Sequence, residues 1–166
     1  MARWEAEHTV TQSVLDRLID RYPASNSEAS LTRVQSVRQL KVSLRRDLEW
    51  LLNSRRTPDA VGREFQELEQ SLYNYGLPDV TSLSWDSARD RGRLARMIEQ
   101  VLHTFEPRLT GIRVVAAPAT AGAQHVMRFQ IEGMLEMDPT PEHISFDTLL
   151  QLSSGEYQVK GDLGAG

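Results

Sequence analysis

The chain contains no cysteine. That absence excludes a disulfide framework, a thiolate zinc site and a cysteine nucleophile, and it fits a reducing compartment. Histidine is sparse: His8, His103, His125 and His143 are scattered and never stand three or four residues from one another, so no histidine-pair metal spacing is present. Long apolar runs are missing. No stretch approaches the roughly 18 apolar residues of a membrane span, and Arg3, Glu5, Glu7 and His8 break up any signal-peptide core. The sequence also lacks a Gly-rich phosphate loop, a dinucleotide glycine fingerprint and a nucleophile-elbow serine. ATPase, oxidoreductase and serine hydrolase chemistry are thereby demoted, and no cofactor is expected.

Charge is balanced toward acid, with 19 basic and 23 acidic residues and a net charge of -4. There is no overall pull toward nucleic acid or anionic lipid. Lys41 and Lys160 are the only lysines, so 17 of the 19 bases are arginine. Arginine suits planar, multi-donor contacts with protein partners. The bases are concentrated early. Between Leu31 and Arg56 seven bases (Arg33, Arg38, Lys41, Arg45, Arg46, Arg55 and Arg56) face two acids (Asp47 and Glu49). After residue 113 only 2 bases stand against 7 acids. A basic helix face and an acidic C-terminal face are implied, the first a candidate partner surface or an ordinary solvated helix exterior.

At 166 residues the chain is long enough for one buried core. Residues 1–8 are polar and without period, and 161–166 read as a second tail, leaving 9–160 as one α+β domain. A first helix is expected from about Thr9, with Val10, Val14, Leu15, Leu18 and Ile19 inward and Asp16, Arg17 and Asp20 outward, ending before Pro23. A Ser-rich linker, 23–30, follows. The longest helical pattern spans about Ser30 to Asn53, with Leu31, Val34, Val37, Leu40 or Lys41, Leu44, Leu48, Leu51 and Leu52 on its apolar stripe. A short helix near Arg63 to Leu72 offers Phe65, Leu68 and Leu72 and stops at Asn74-Tyr75-Gly76-Leu77-Pro78-Asp79, where Gly and Pro are a stop signal. A further helix, Ser84 to Thr104, has Ser84 or Asp86 as candidate caps and Ala88, Leu94, Ile98, Val101, Leu102 and Phe105 inward.

From Gly111 the period switches to two. Ile112 and Val114, or Val115 in the other register, point inward in a first strand, and a small-residue loop spans 116–123. Met127, Phe129, Ile131, Gly133, Leu135 and Met137 share one face of a second strand; Ile144, Phe146, Thr148, Leu150 and Leu152 repeat the pattern. Ser154-Gly155 then turns into Glu156 to Lys160. The fold class is α+β: N-terminal helices, then an antiparallel sheet of three to four strands.

Carboxylates are the one catalytic resource in supply, and Glu106 with Asp79 or Asp86 could act as an acid and base on a glycosidic bond. Glu106-Pro107-Arg108 is more informative as a corner between the last helix and the first strand, stiffened because Pro107 fixes its own φ and keeps Glu106 out of helical space. Such a corner either presents Glu106 and Arg108 for recognition or lets them pair locally. A single-partner cytoplasmic adaptor is the other reading from the residues alone.

Several segments taken together resemble one family. They are Ser13-Val14-Leu15-Asp16-Arg17-Leu18, the run from Ser43 to Arg55, Asn74-Tyr75-Gly76-Leu77-Pro78-Asp79 and Phe105-Glu106-Pro107-Arg108-Leu109, with Phe129 to Gly133 and Phe146 to Thr148 in support. The family is that of TssE, a subunit of the bacterial type VI secretion baseplate related to the wedge protein of contractile phage tails, some members of which carry a lysozyme label by descent. The resemblance implies a non-enzymatic, cytoplasmic baseplate subunit docked at the inner face of the cell envelope. Its implied partners are TssF and TssG in a wedge, with TssK and the sheath subunits TssB and TssC beyond them. It implies a fold similar to the interlocking domain of sheath subunits, whose sheet templates the first sheath ring. Partner contacts are expected at Glu106, Pro107 and Arg108, and at Arg45 and Arg46 of the basic helix face.

Overall fold

The computed structural model describes residues 13–19, 32–58, 62, 65–84, 86–118, 126–151 and 153–161. The expected N-terminal tail, the linker at 23–30 and all of the C-terminal tail except Gly161 lie outside the described residues. The element order is α1 (Val14–Leu18), α2 (Arg33–Asn53), α3 (Gln66–Glu69), a 3-10 turn (Leu72–Asn74) and α4 (Ala88–Phe105), then β1 (Leu109–Ala116), β2 (Val126–Leu135), β3 (Glu142–Gln151) and β4 (Glu156–Lys160). Helices precede a four-stranded antiparallel meander in the order β1-β2-β3-β4, the expected α+β arrangement.

The sheet forms because β2, β3 and β4 alternate between buried and more exposed positions, while β1 joins with a register shift between Thr110 and Arg113. Met127, Phe129, Ile131, Gly133 and Leu135 of β2 are buried, as are Ile144, Phe146, Thr148 and Leu150 of β3. Pairing of Ile131 with Phe146 and Phe129 with Thr148 puts both sets on one face. Val114 of β1 is buried while Val115 is 44% exposed, which settles the register left open by the sequence. Helix α4 packs on β1 and α2 on β4. Leu44, Leu48, Leu94, Ile98 and Leu102 are fully buried in the shared core, each contributing on the order of 2 kcal/mol.

Helix α2 opens on a capping box: the Gln35 amide donates to Thr32 Oγ1 and the Thr32 amide to Gln35 Oε1. It therefore starts three residues later than the sequence pattern suggests. Val34, expected inward, is 78% exposed because it precedes the first turn that reaches the sheet, and Leu40 rather than Lys41 is buried. Helix α4 is capped by Ser87, whose hydroxyl accepts from the Asp90 amide, not by Ser84 or Asp86. Ala88, expected inward, is exposed at the start of that helix. The segment expected as one helix from Arg63 to Leu72 is broken into α3 and the 3-10 turn, and its apolar residues Phe65, Leu68 and Leu72 face solvent.

Both outer strands are pinned by side chains from the helices. The Asn53 carboxamide at the end of α2 donates to the Tyr157 carbonyl at 2.9 Å and accepts from the Tyr157 amide at 2.8 Å, mimicking one rung of a neighbouring strand on β4. Glu99 of α4 accepts from the Val114 amide on β1 at 3.0 Å. Asn53→Ala is expected to cost about 2 kcal/mol, because it removes both partners of a main-chain position at once. Urea unfolding with hydrogen exchange checks this: the Tyr157 amide should lose protection selectively, and unchanged protection there would contradict the clamp.

Candidate functional site

The site grows from a helix that sits the opposite way round from its sequence pattern. In α1, Leu15, Leu18 and Ile19 are 48%, 77% and 43% exposed, whereas Asp16 is buried. Asp16 turns inward because it has partners there. Ser13, the N-cap, accepts from the Asp16 amide and donates to its carboxylate at 2.6 Å, and Arg46 Nη1 of α2 donates to Asp16 Oδ1 at 2.9 Å. Burial alone raises the Asp16 carboxyl, but the hydrogen bonds from Ser13 and Arg46 outweigh it and hold the group below its ordinary value of 3.8. The sequence pattern placed Asp16 with the solvated face; a buried ion pair with a residue on another helix overrides that periodicity.

From Arg46 the charges continue as a chain. Arg46 Nη2 and Nε both reach Asp47 Oδ1, at 2.8 and 3.0 Å, and the guanidinium stacks over Trp50, 4.8 Å from the ring centre. The other oxygen of Asp47 accepts from Arg108 Nη2 at 2.7 Å. Arg108 in turn forks onto Glu106, Nε to Oε1 and Nη2 to Oε2, both at 2.6 Å. Asp16, Arg46, Asp47, Arg108 and Glu106 thus form one line of alternating charge across α1, α2 and the corner between α4 and β1. Burial works against the Arg108 cation, yet the hydrogen bonds and charges of Glu106 and Asp47 raise its pKa well above the ordinary value.

Tyr75 flanks the same network. Its ring meets Phe105 edge-on at 5.4 Å between centroids, and burial, followed by the charges of Asp47 and Glu106, pushes its phenol up. The segment carrying it is held by main-chain bonds: the Leu77 amide donates to the Ser54 carbonyl at 2.9 Å and the Arg56 amide to the Leu77 carbonyl at 3.1 Å. The four segments that carry the family resemblance, dispersed from Ser13 to Leu109, therefore meet in one place.

The expected partner residues separate on this geometry. Glu106, Arg108 and Arg46 come together, whereas Arg45 is exposed on α2 with its stem near Gly161 at the end of β4, and Pro107 is exposed at the corner. Glu106 is not presented to solvent; it is buried beneath Arg108, as the local-pairing alternative had it. Arg108 Nη1 is a buried donor without an acceptor among the described residues. Asp16, Asp47, Tyr75 and Trp50 were missed as members. Asp47 had a signal, being one of only two acids in the basic run from Leu31 to Arg56.

The acid and base reading finds little footing. Both oxygens of Glu106 are engaged by the Arg108 guanidinium, and its side chain is buried beneath that residue. Asp79 is exposed, its carboxylate held below the ordinary range mainly by the Thr81 amide and hydroxyl, and Asp86 is exposed as well. A cavity of about 300 Å³ lies between α4 and the Asn74–Pro78 segment, with Met97, Val101 and Phe105 in its wall and Glu69 as its one acid. Among the described residues no group of three or more His, Asp or Glu could hold a metal, and no helix is long and apolar enough to cross a membrane.

The depressed Asp16 carboxyl has a consequence in acid. Its pKa is lower folded than unfolded, so its contribution is complete above the unfolded value and is lost as pH falls through the folded one. The stability gap between the native chain and Asp16→Asn should be constant near neutrality and close below about pH 4. Urea titrations over that range test it, and a gap that widens in acid would contradict the assignment.

The charge line thus ties α1, α2 and the α4–β1 corner together through opposite charges of the same chain. The model of the family of baseplate wedge protein gp25, GPW_gp25, matches residues 38–140, from the second turn of α2 to just past β2, and the chain belongs to that family. No curated protein matches the sequence significantly. A chain in the solved structure described as "The baseplate complex from the type VI secretion system" is similar at 20% identity, with a TM-score of 0.47, covering 69% of this chain and 96% of that chain.

Proposed function

We propose that this wedge-family chain is the TssE-like subunit of a type VI secretion baseplate, cytoplasmic and without enzymatic activity, that joins TssF and TssG in a wedge and helps to anchor the sheath. The observation that carries the reading is the convergence of the resembling segments, three of them on one charge line and the fourth packed beside it through Tyr75. The line spends Glu106 and Arg46 on internal contacts, so these two position the corner. Pro107 and Arg45, both exposed, are left to meet the neighbours. TssK and the sheath subunits TssB and TssC lie further along the same assembly. Strand addition by sheath subunits fits a four-stranded sheet with two edges, and it must accommodate Asn53 on β4 or Glu99 on β1, which occupy part of those edges.

The test is a pull-down of the full chain from its native host under mild conditions, with Pro107→Asp alongside. The native chain should bring down TssF and TssG together, and the variant, altered only at an exposed residue, should stay folded and lose them. A folded native chain that recovers neither protein would overturn the proposal.

A further inference from the structure

The outward side of α2 carries a surface that the charge line does not use. Val34, Arg38, Val42 and Arg45 follow one another at intervals of four, four and three residues, which on a helix is a single ridge about 17 Å long. All four are exposed, Val34 by 78% and Val42 by 47%. Lys41 is satisfied by Glu142 at 2.7 Å and Arg46 by Asp16 and Asp47. Arg38 and Arg45, by contrast, make no hydrogen bond or ion pair among the described residues.

The ridge is electrostatically incomplete. Between Arg33 and Arg46 there is no acidic residue, and the first turn of α2, where the helix dipole favours an anion, holds Arg33 and no acid. Cations left uncompensated on their own helix gain most from carboxylates supplied from outside. The alternation with valine narrows the source. A nucleic acid offers nothing to bury Val34 and Val42, and a net charge of -4 opposes any polyanion.

Residues spaced by four form the ridges that fit the grooves of another helix. Arg38 and Arg45 are seven residues apart, about 10.5 Å along the axis, which matches acids one heptad apart on a facing helix. The geometry points to a docking seat for one helix of a partner protein, whose facing side carries small apolar residues between two Asp or Glu a heptad apart. This rests on the reading of the chain as a wedge subunit and names the chemistry of a contact at Arg45.

The experiment uses the complex that the native chain forms in its host. A photo-crosslinking amino acid replaces Val42, and the crosslinked partner peptide is mapped by mass spectrometry. A crosslink to an acidic amphipathic helix is expected. Arg38→Glu with Arg45→Glu should abolish it and weaken the complex at least about 10-fold, without altering the melting of the isolated chain, since neither arginine has a partner among the described residues. Replacing the two mapped acids by Arg should restore binding to the charge-reversed chain. An intact complex with no crosslink from position 42, a crosslink to lipid, nucleic acid or an extended segment, or a double reversal without effect would overturn the seat alone. Failure of the native chain to enter any baseplate complex would overturn the proposed function as well.

Discussion

Arg108→Ala is expected to destabilise the isolated chain by about 3 kcal/mol, rather than merely strip a contact from its surface. Arg108 is the counter-ion of a carboxylate whose side chain is only 6% exposed, and it is the link from that carboxylate to Asp47 on α2. Removing one partner of a buried ion pair leaves the other charged without solvent or a cation, which typically costs about 3–5 kcal/mol; Arg108 is itself 24% exposed, so the lower end applies. The physical cause fixes a second outcome. Combining Arg108→Met with Glu106→Gln should recover more than half of the loss, because no charge then stays buried unpaired. Urea unfolding of the three variants decides it. A single Arg108→Ala variant as stable as the native chain would return the corner to a purely external role.

Gly76→Ala should be comparably damaging. The backbone there has φ of 102°, and a Cβ would lie 2.3 Å from the Ser54 carbonyl oxygen and 2.6 Å from its carbon. Those are backbone atoms engaged by the Leu77 amide, so relief requires breaking the bridge that holds the Tyr75 segment against the end of α2. A loss of about 3 kcal/mol or more is expected, combining strain at a positive φ with the displaced bridge. Gly155 provides the control. Its φ of 68° is also positive, but its Cβ would meet the tip of the Arg55 side chain, which can swing away. Gly155→Ala should cost about 1 kcal/mol. Thermal melts of the two variants test the ranking, and equal losses would contradict the role given to the Ser54 carbonyl.

What the sequence made legible follows from which forces act locally. The sheet was readable strand by strand because a half-buried strand alternates, and the inward set of β2 from Met127 to Leu135 is buried as read. Leu94, Ile98 and Leu102 of α4 were readable for the same reason at the helical period. The misreadings occur where a distant partner decides. Asp16 looked solvated because its cation lies 30 residues away on another helix. Phe65, Leu68 and Leu72 were read as one short helix, and apolar spacing shows a face but not whether anything covers it. The Glu106-Pro107-Arg108 corner was visible as a stiff junction, and its two possible orientations were both consistent with spacing. Arg108 is held inward by Glu106 together with Asp47, 61 residues from it, and no periodicity links Arg108 to Asp47.

The charge line on which the resembling segments converge is tested most directly by a double-mutant cycle between Asp47 and Arg108, using Asp47→Asn, Arg108→Met and the pair, followed by urea unfolding. A coupling of at least about 1 kcal/mol is expected for partners that touch. Effects that add to within about 0.3 kcal/mol, as for independent sites, would contradict it.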